Sequence, residues 1–254
     1  MSTPLPSVGG PGSGDAGSPP RVPEQPSTSS VRLVATLAVA GALAGLVLVS
    51  VHQWTQPRIL AHQARVLQEA VVEVLGGPES TQTYFEVDGV FTAQPPADAD
   101  TASADRVYVG YDATGTPTGV ALAAGEPGFQ DVIRILFGYD PGAGTVLGMK
   151  VLESKETPGL GDKIEKDSSF VAEFRGVATP LIGVKAGAGS GVEGEIDMIT
   201  GATISSRAIV DIINHRLEDV DERVRALWRG GLTPPAMAAE GATAGGEPMP
   251  GGGS

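Results

Sequence analysis

The 254-residue sequence contains no cysteine. That absence removes disulfides, thiolate metal ligands, iron–sulfur ligation and thiol nucleophiles together. Histidine is scarce as well. His52, His62 and His215 are the only three, scattered through predicted helices. They are too few for a His-rich zinc site, and a Ser-His-Asp triad would have to be built on His215 on a helix face. Basic residues are short, with 17 Lys and Arg against 30 Asp and Glu, leaving a net charge of −13. A nucleic-acid binder needs a basic face to displace counterions, so that class is set aside. Any redox work must fall to a bound cofactor, because these side chains cannot perform it.

What the chain has in surplus is glycine (36) and proline (20), much of it at the two ends. Residues 1–30 and 231–254 carry few large apolar groups and no periodicity, so both are expected to be disordered tails. Between them, residues 31–52 hold the run LVATLAVAGALAGLVLVSV, with no charge from Leu33 to Val51. About 19 residues at ~1.5 Å each make roughly 28 Å of helix, close to the hydrocarbon thickness of a bilayer. A soluble core helix is seldom apolar on every face for so long. A cleaved signal peptide would want a stronger basic start and an end near Ala42-Leu43-Ala44, which the run passes. Gly41 and Gly45 would let another helix approach closely, though such pairs are common in spans. Arg21 and Arg32 on one side balance Arg58 and Arg65 on the other, so flanking charge does not orient the span.

Residues 53–230 read as one folded domain. Pro57 suits the first turn of a helix, and Leu60, Ala64, Leu67, Val71 and Val74 follow at helical spacing until Gly76-Gly77-Pro78. Residues 92–104 read as a polar loop. From Arg106 the period changes to that of strands. Val107–Tyr111, Thr118–Ala123, Val132–Phe137 and Thr145–Leu152 are separated by the turn signals DATGTP, GEPGFQ and DPGAG. A short helix near Ser169–Phe174, a strand at Leu181–Lys185 and the Gly-rich loop AGAGSGVEGE come next. A long amphipathic helix closes the domain, with Ile209, Ile212, Ile213, Leu217, Val220, Val224 and Leu227 on its buried face. The predicted class is α+β, a single N-terminal transmembrane helix followed by a mostly antiparallel sheet with flanking helices.

Two segments have the composition of a site. In Glu153-Ser-Lys-Glu-Thr-Pro-Gly-Leu-Gly-Asp-Lys-Ile-Glu165, Pro158 fixes φ while Gly159 and Gly161 permit unusual backbone, giving a shaped loop that displays Thr157 and Leu160. The plainer reading is a strand-to-helix turn. In Asp197-Met-Ile-Thr-Gly-Ala-Thr-Ile-Ser-Ser206, Ser205 or Ser206 is placed to cap the last helix, leaving Thr203 just outside its first turn. A phosphate on Thr203 would face free backbone N–H groups and the positive end of the helix dipole, with Arg207 near. Here the plainer reading is a simple N-cap.

The segment D-M-I-T-G-A-T-I-S-S resembles the flavinylation motif of the FMN-binding domain shared by the Rnf and Nqr respiratory complexes. The resemblance covers about residues 31–228. It includes the early membrane helix, the hairpins ending in V-L-E-S-K-E-T-P-G-L-G-D-K-I-E, and the helix after T-G-A-T, all in family order. The G-D-K-I-E ending looks more like the RnfG type than the NqrC type, while Ser205 stands where many relatives have threonine. The resemblance implies FMN joined by a phosphoester bond to Thr203, through a flavin transferase that uses FAD. It implies Glu156, Thr157, Pro158, Gly159 and Leu160 beside the flavin ring. Asp197, Thr200, Gly201 and Ala202 would be the segment read by the transferase, with Ile204 and Ser205 completing the cofactor-binding set and Lys185 as a ring or phosphate contact. No catalytic residue and no metal are expected in this chain. The implied role is an electron-relay subunit of an ion-translocating ferredoxin:NAD oxidoreductase, embedded through one helix in the cell inner (cytoplasmic) membrane. The domain at 53–230 would lie on the periplasmic or extracytoplasmic side, and other subunits would bind NAD, ferredoxin and ions. An NqrC-type component of a sodium-pumping NADH:quinone reductase and a flavin-less membrane-tethered scaffold are the alternatives.

Overall fold

The computed structural model describes residues 30–95, 104–230, 232 and 234. The expected tails, apart from Ser30, Leu232 and Pro234, and most of the loop expected at 92–104 lie outside the described residues. The chain divides into two compact units, the first ending at Pro57 and the second beginning at Arg58.

Helix α1 runs Ser30–Val74, 45 residues with Pro57 inside it. Its N-terminal stretch is long and apolar enough to cross a bilayer and has none of that surface buried. No separate helix starts at Pro57, contrary to the sequence expectation. Proline deletes one backbone donor from the ladder, and the helical residues on both sides of it supply the remaining bonds.

The second unit is built on a seven-stranded antiparallel sheet. Its strands are β1 (Ser80–Val87), β2 (Val90–Thr92), β3 (Arg106–Tyr111), β4 (Pro117–Pro127), β5 (Val132–Asp140), β6 (Thr145–Glu153) and β7 (Val177–Ala178). They lie in the order β2-β1-β3-β4-β5-β6-β7. Between β6 and β7 come two short helices, α2 (Lys163–Lys166) and α3 (Ser168–Glu173). Beyond β7, β8 (Ile182–Lys185) and β9 (Glu195–Met198) pair in parallel, and α4 (Thr203–Arg229) ends the described fold.

Strand side chains alternate between two faces. Val107, Val109, Tyr111, Val120, Leu122, Ile135, Phe137 and Tyr139 point to the face covered by α4, where they meet Ile209, Ile212, Ile213, Leu217, Val220 and Val224. Ala121 and Leu136 point the other way, toward Ala70, Val71 and Val74 at the end of α1. That helix end sits very close to the sheet. A Cβ added at Gly138 would stand 2.3 Å from the Val74 carbonyl oxygen.

Register positions the site. Pro127 pairs with Val132 across the β4–β5 hairpin, and Glu153 at the end of β6 pairs with Arg134 near the start of β5. The β4–β5 turn and the loop after β6 therefore leave the sheet at the same end.

Helix α4 is also tied to β4 by His215, whose Nδ1 lies 3.0 Å from Glu126 Oε1. The hydrogen bond to Glu126 and its charge raise the imidazole pKa, with smaller contributions from Asp211 and Glu218. A pKa raised on folding contributes stability that is full below the unfolded value of about 6.5 and is lost as pH rises through the folded value. Melting temperature should therefore fall as pH rises through this window, and His215→Gln should flatten that part of the profile. An unchanged slope in the variant would rule the pair out as its source.

Candidate functional site

Two tight turns face each other at this end of the sheet. In the first, Leu160 N donates to Thr157 O at 3.1 Å, with Pro158 and Gly159 in the middle and Gly159 at φ 80°. Proline at the second position and glycine with positive φ at the third are what a type II turn requires. Asp162 holds this turn, its Oδ1 accepting Gly159 N at 2.7 Å and its Oδ2 accepting Lys166 Nζ at 2.6 Å. The Lys166 hydrogen bond is the main cause that holds the Asp162 carboxyl below the usual carboxylate range.

In the second turn Ala202 N donates to Ile199 O at 3.0 Å, and Gly201 has φ 86°. Helix α4 starts directly after it, with Ala202 as N-cap and no side chain capping it. The first intrahelical bond runs from Ser206 N to Ala202 O. Among the described residues, no acceptor is paired with the N–H groups of Thr203, Ile204 and Ser205.

This corrects the expected geometry in one respect. Thr203 is the first residue of the helix, inside its first turn rather than outside it. Neither serine caps. Ser206 Oγ donates back to Ala202 O at 2.9 Å and accepts from Ile199 N at 3.2 Å, while Ser205 Oγ donates to Glu156 Oε2 at 2.7 Å. Thr203 itself is exposed.

Glu156 joins the walls. It is 6% exposed, and its Oε1 accepts Phe129 N at 2.9 Å and Gln130 N at 3.1 Å from the β4–β5 turn. Its Oε2 takes the Ser205 hydroxyl from α4. Two glycines leave room for it. A Cβ would come within 2.5 Å of Oε1 at Gly128, and within 2.7 Å of Oε2 and 3.1 Å of Ser205 Oγ at Gly161. Gly161→Ala is thus expected to displace the Glu156–Ser205 bond and to lower stability by about 1–3 kcal/mol. Urea unfolding measures this, and an unshifted midpoint would show that the loop relaxes freely.

The resulting cleft, about 330 Å³, is lined by Phe129, Glu156, Thr157, Leu160 and Gly161 on one side, and by Gly201, Ala202, Thr203, Ile204 and Ser205 on the other. Of the residues predicted for the site, the structure brings together Glu156, Thr157, Leu160, Gly201, Ala202, Thr203, Ile204 and Ser205. Pro158 and Gly159 shape the turn without lining the cleft, and Thr200 is an exposed residue of the opposite turn. Lys185, exposed at the end of β8, pairs in register with Met198 and is not in the lining. Arg207 is exposed and outside the lining as well. Asp197 serves local structure, its Oδ2 accepting Gly187 N at 3.1 Å and its own N–H donating to Glu173 Oε2 at 2.6 Å. Burial is the main cause that raises the Glu173 carboxyl pKa, partly opposed by that N–H. Phe129 lines the cleft but is not among the residues predicted for it. The segment GEPGFQ reads as a turn signal, and the only further clue is an aromatic in the middle of a turn, in a chain with 5% aromatics.

The donor set fits a phosphorylated flavin. Unpaired N–H groups at the start of a 27-residue helix suit a phosphate. Leu160, Ile204 and Phe129 offer apolar surface beside it.

Comparison with known proteins agrees with this chemistry. Residues 128–218 match the FMN-binding domain family, a span containing every residue of the cleft. The chain is 31% identical over 188 residues to the G subunit of the ion-translocating oxidoreductase complex of Pectobacterium atrosepticum, covering 73% of this chain and 88% of that one. The same component from Vibrio vulnificus is 32% identical over 191 residues, covering 73% and 87%. That of Methanosarcina acetivorans is 29% identical over 196 residues, covering 76% and 96%. In fold the chain resembles the crystal structure of Shewanella oneidensis NqrC, with a TM-score of 0.56 at 18% identity over 65% of this chain and 99% of that one. The similarity to the oxidoreductase-complex proteins runs through nearly their whole length and is not confined to the cleft, and on that ground the chain belongs to the RnfG family, the G subunits of ion-translocating oxidoreductase complexes.

Proposed function

We propose that the chain is the flavin-carrying subunit of a membrane-bound ion-translocating oxidoreductase complex, with FMN attached through its phosphate to Thr203. The observation that carries this reading is the pairing of an exposed threonine hydroxyl with an uncapped helix N-terminus at the mouth of a partly apolar cleft. Attachment from FAD balances if Thr203 Oγ1 takes the flavin-bearing phosphoryl group, the pyrophosphate P–O bond breaks and AMP leaves with the electron pair. The hydroxyl proton passes to a base on the flavin transferase.

When bound, FMN accepts and passes on one or two electrons. The chain's own groups bind and orient it. The N–H groups of Thr203, Ile204 and Ser205 would hold the phosphate, while the Thr157–Leu160 turn would offer Leu160 to the ring. In the family reading, ferredoxin, NAD and the translocated ion belong to other subunits. Residues 31–52 of α1 anchor the chain in the cytoplasmic membrane, and the domain at 53–230 lies outside the cytoplasm, where a covalent tether prevents loss of the cofactor.

The test is peptide mapping of the protein co-produced with a flavin transferase. The tryptic peptide Ala186–Arg207 should gain the mass of FMN less water and fluoresce after denaturation. An unmodified peptide would discard the electron-carrier reading in favour of a flavin-less tethered scaffold.

A further inference from the structure

Phe129 lines the cleft, and its placement there is unusual. Its side chain is 62% exposed, while the backbone beneath it is firmly held. Phe129 N and Gln130 N are both bonded to the buried Glu156 carboxyl group, and Gly128 N donates to Asp131 O at 2.8 Å across the same turn. One exposed apolar side chain is ordinary, but several gathered at a single opening mark a place where something binds. Two other large apolar side chains of the same cleft share that state, Leu160 at 51% and Ile204 at 58% exposed. They come from three separate segments, the β4–β5 turn, the loop after β6 and the first turn of α4. Their convergence on one opening leaves apolar walls around polar N–H donors, the distribution expected for a ligand with a flat aromatic body and a charged end.

We propose that Phe129 is the capping residue of this cleft, packing against the ring of the flavin carried on Thr203 and screening it from water. The proposal rests on the FMN reading above and adds to it the residue that controls the ring's exposure. Aromatic side chains favour offset or edge contacts with other rings, and a ring covered on one side meets less solvent. An apolar cover also disfavours added negative charge, so the cap lowers the reduction potential of the flavin.

The experiment uses the full-length protein, co-produced with a flavin transferase. Phe129→Ala, Phe129→Leu and Phe129→Trp are compared with the parent, every reading being normalised to covalently bound flavin. Iodide quenching of flavin fluorescence reports ring exposure, and spectroelectrochemical titration reports the potential. The expected result is a severalfold larger quenching constant and a higher potential in Phe129→Ala, an intermediate state in Phe129→Leu, and parental values in Phe129→Trp. Equal quenching and potential in the parent and the Ala and Leu variants would overturn the cap. So would an equal change in Ala and Trp, which would indicate mere disturbance of the turn. A parent protein that carries no flavin would overturn the Thr203 reading and the cap with it. That outcome is recognised before any variant is compared.

Discussion

A Thr203→Ala protein co-produced with a flavin transferase should carry no covalent flavin at all, and Thr203→Ser should carry it. The expectation is total because, among the described residues, the structure offers no substitute hydroxyl at the cleft. Ser205 and Ser206 stand within the same first turn of α4, but both are buried and both hydroxyls are engaged, with Glu156 and with Ala202 and Ile199 respectively. Thr200 lies outside the lining, and Thr157 lines the opposite wall, away from the helix terminus. Among the described residues, Thr203 alone places an exposed hydroxyl at the unpaired N–H groups of the helix start. Those groups and the helix dipole favour a phosphate there by ~0.3–1 kcal/mol in exposed settings and up to ~2 kcal/mol in sheltered ones. A serine keeps the hydroxyl and the backbone, so its loading should differ in rate rather than in site. Intact mass and in-gel fluorescence of the denatured protein read the result. Full loading of Thr203→Ala would remove the site assignment altogether.

The sequence carried the central sheet well. Strands β3 to β6 lie within a few residues of their predicted spans, because apolar residues alternate along them and Asp, Gly and Pro mark the turns between. β1 and β2 do not stand out in the sequence. STQTYFEV is largely polar, and only Tyr84 of it is buried, so its period gives little signal. A clue was nevertheless present at Asp88-Gly89, both of which have positive φ and close the hairpin with β2. Such a pair is the strongest short-range hairpin mark. The start of α4 failed for another reason. Ser205 and Ser206 have the composition of caps, and nothing local shows that one of them is committed to Glu156, 49 residues earlier. The same long-range bond explains why Glu156 could be named as a site residue from motif resemblance while its work, joining three segments, was not visible. Pro57 likewise has the signature of a helix start but lies within one.

Loss of the Glu156 side chain should have the largest effect on stability of any change at the cleft. Glu156→Ala leaves the N–H groups of Phe129 and Gln130 and the hydroxyl of Ser205 without their acceptor in a nearly closed space. Each buried donor left unmade costs about 1–3 kcal/mol. With some of them recovered by water, the total should be about 2–5 kcal/mol. Glu156→Gln keeps an acceptor oxygen for the two N–H groups and presents its amide to Ser205 Oγ, which can rotate to accept. Its cost should stay near ~0.5–1.5 kcal/mol. The urea midpoint should therefore fall in the order parent, Gln, Ala. The bond to Ser205 can be isolated by a double-mutant cycle with Ser205→Ala. A coupling of ~0.5 kcal/mol or more is expected for groups in direct contact, and additivity within ~0.3 kcal/mol would deny that they act together. Flavin loading should follow the same order, because Glu156 ties the helix that presents Thr203 to the loop that presents Leu160. A Glu156→Ala protein with parental stability and parental loading would show that the cleft is shaped by its turns alone.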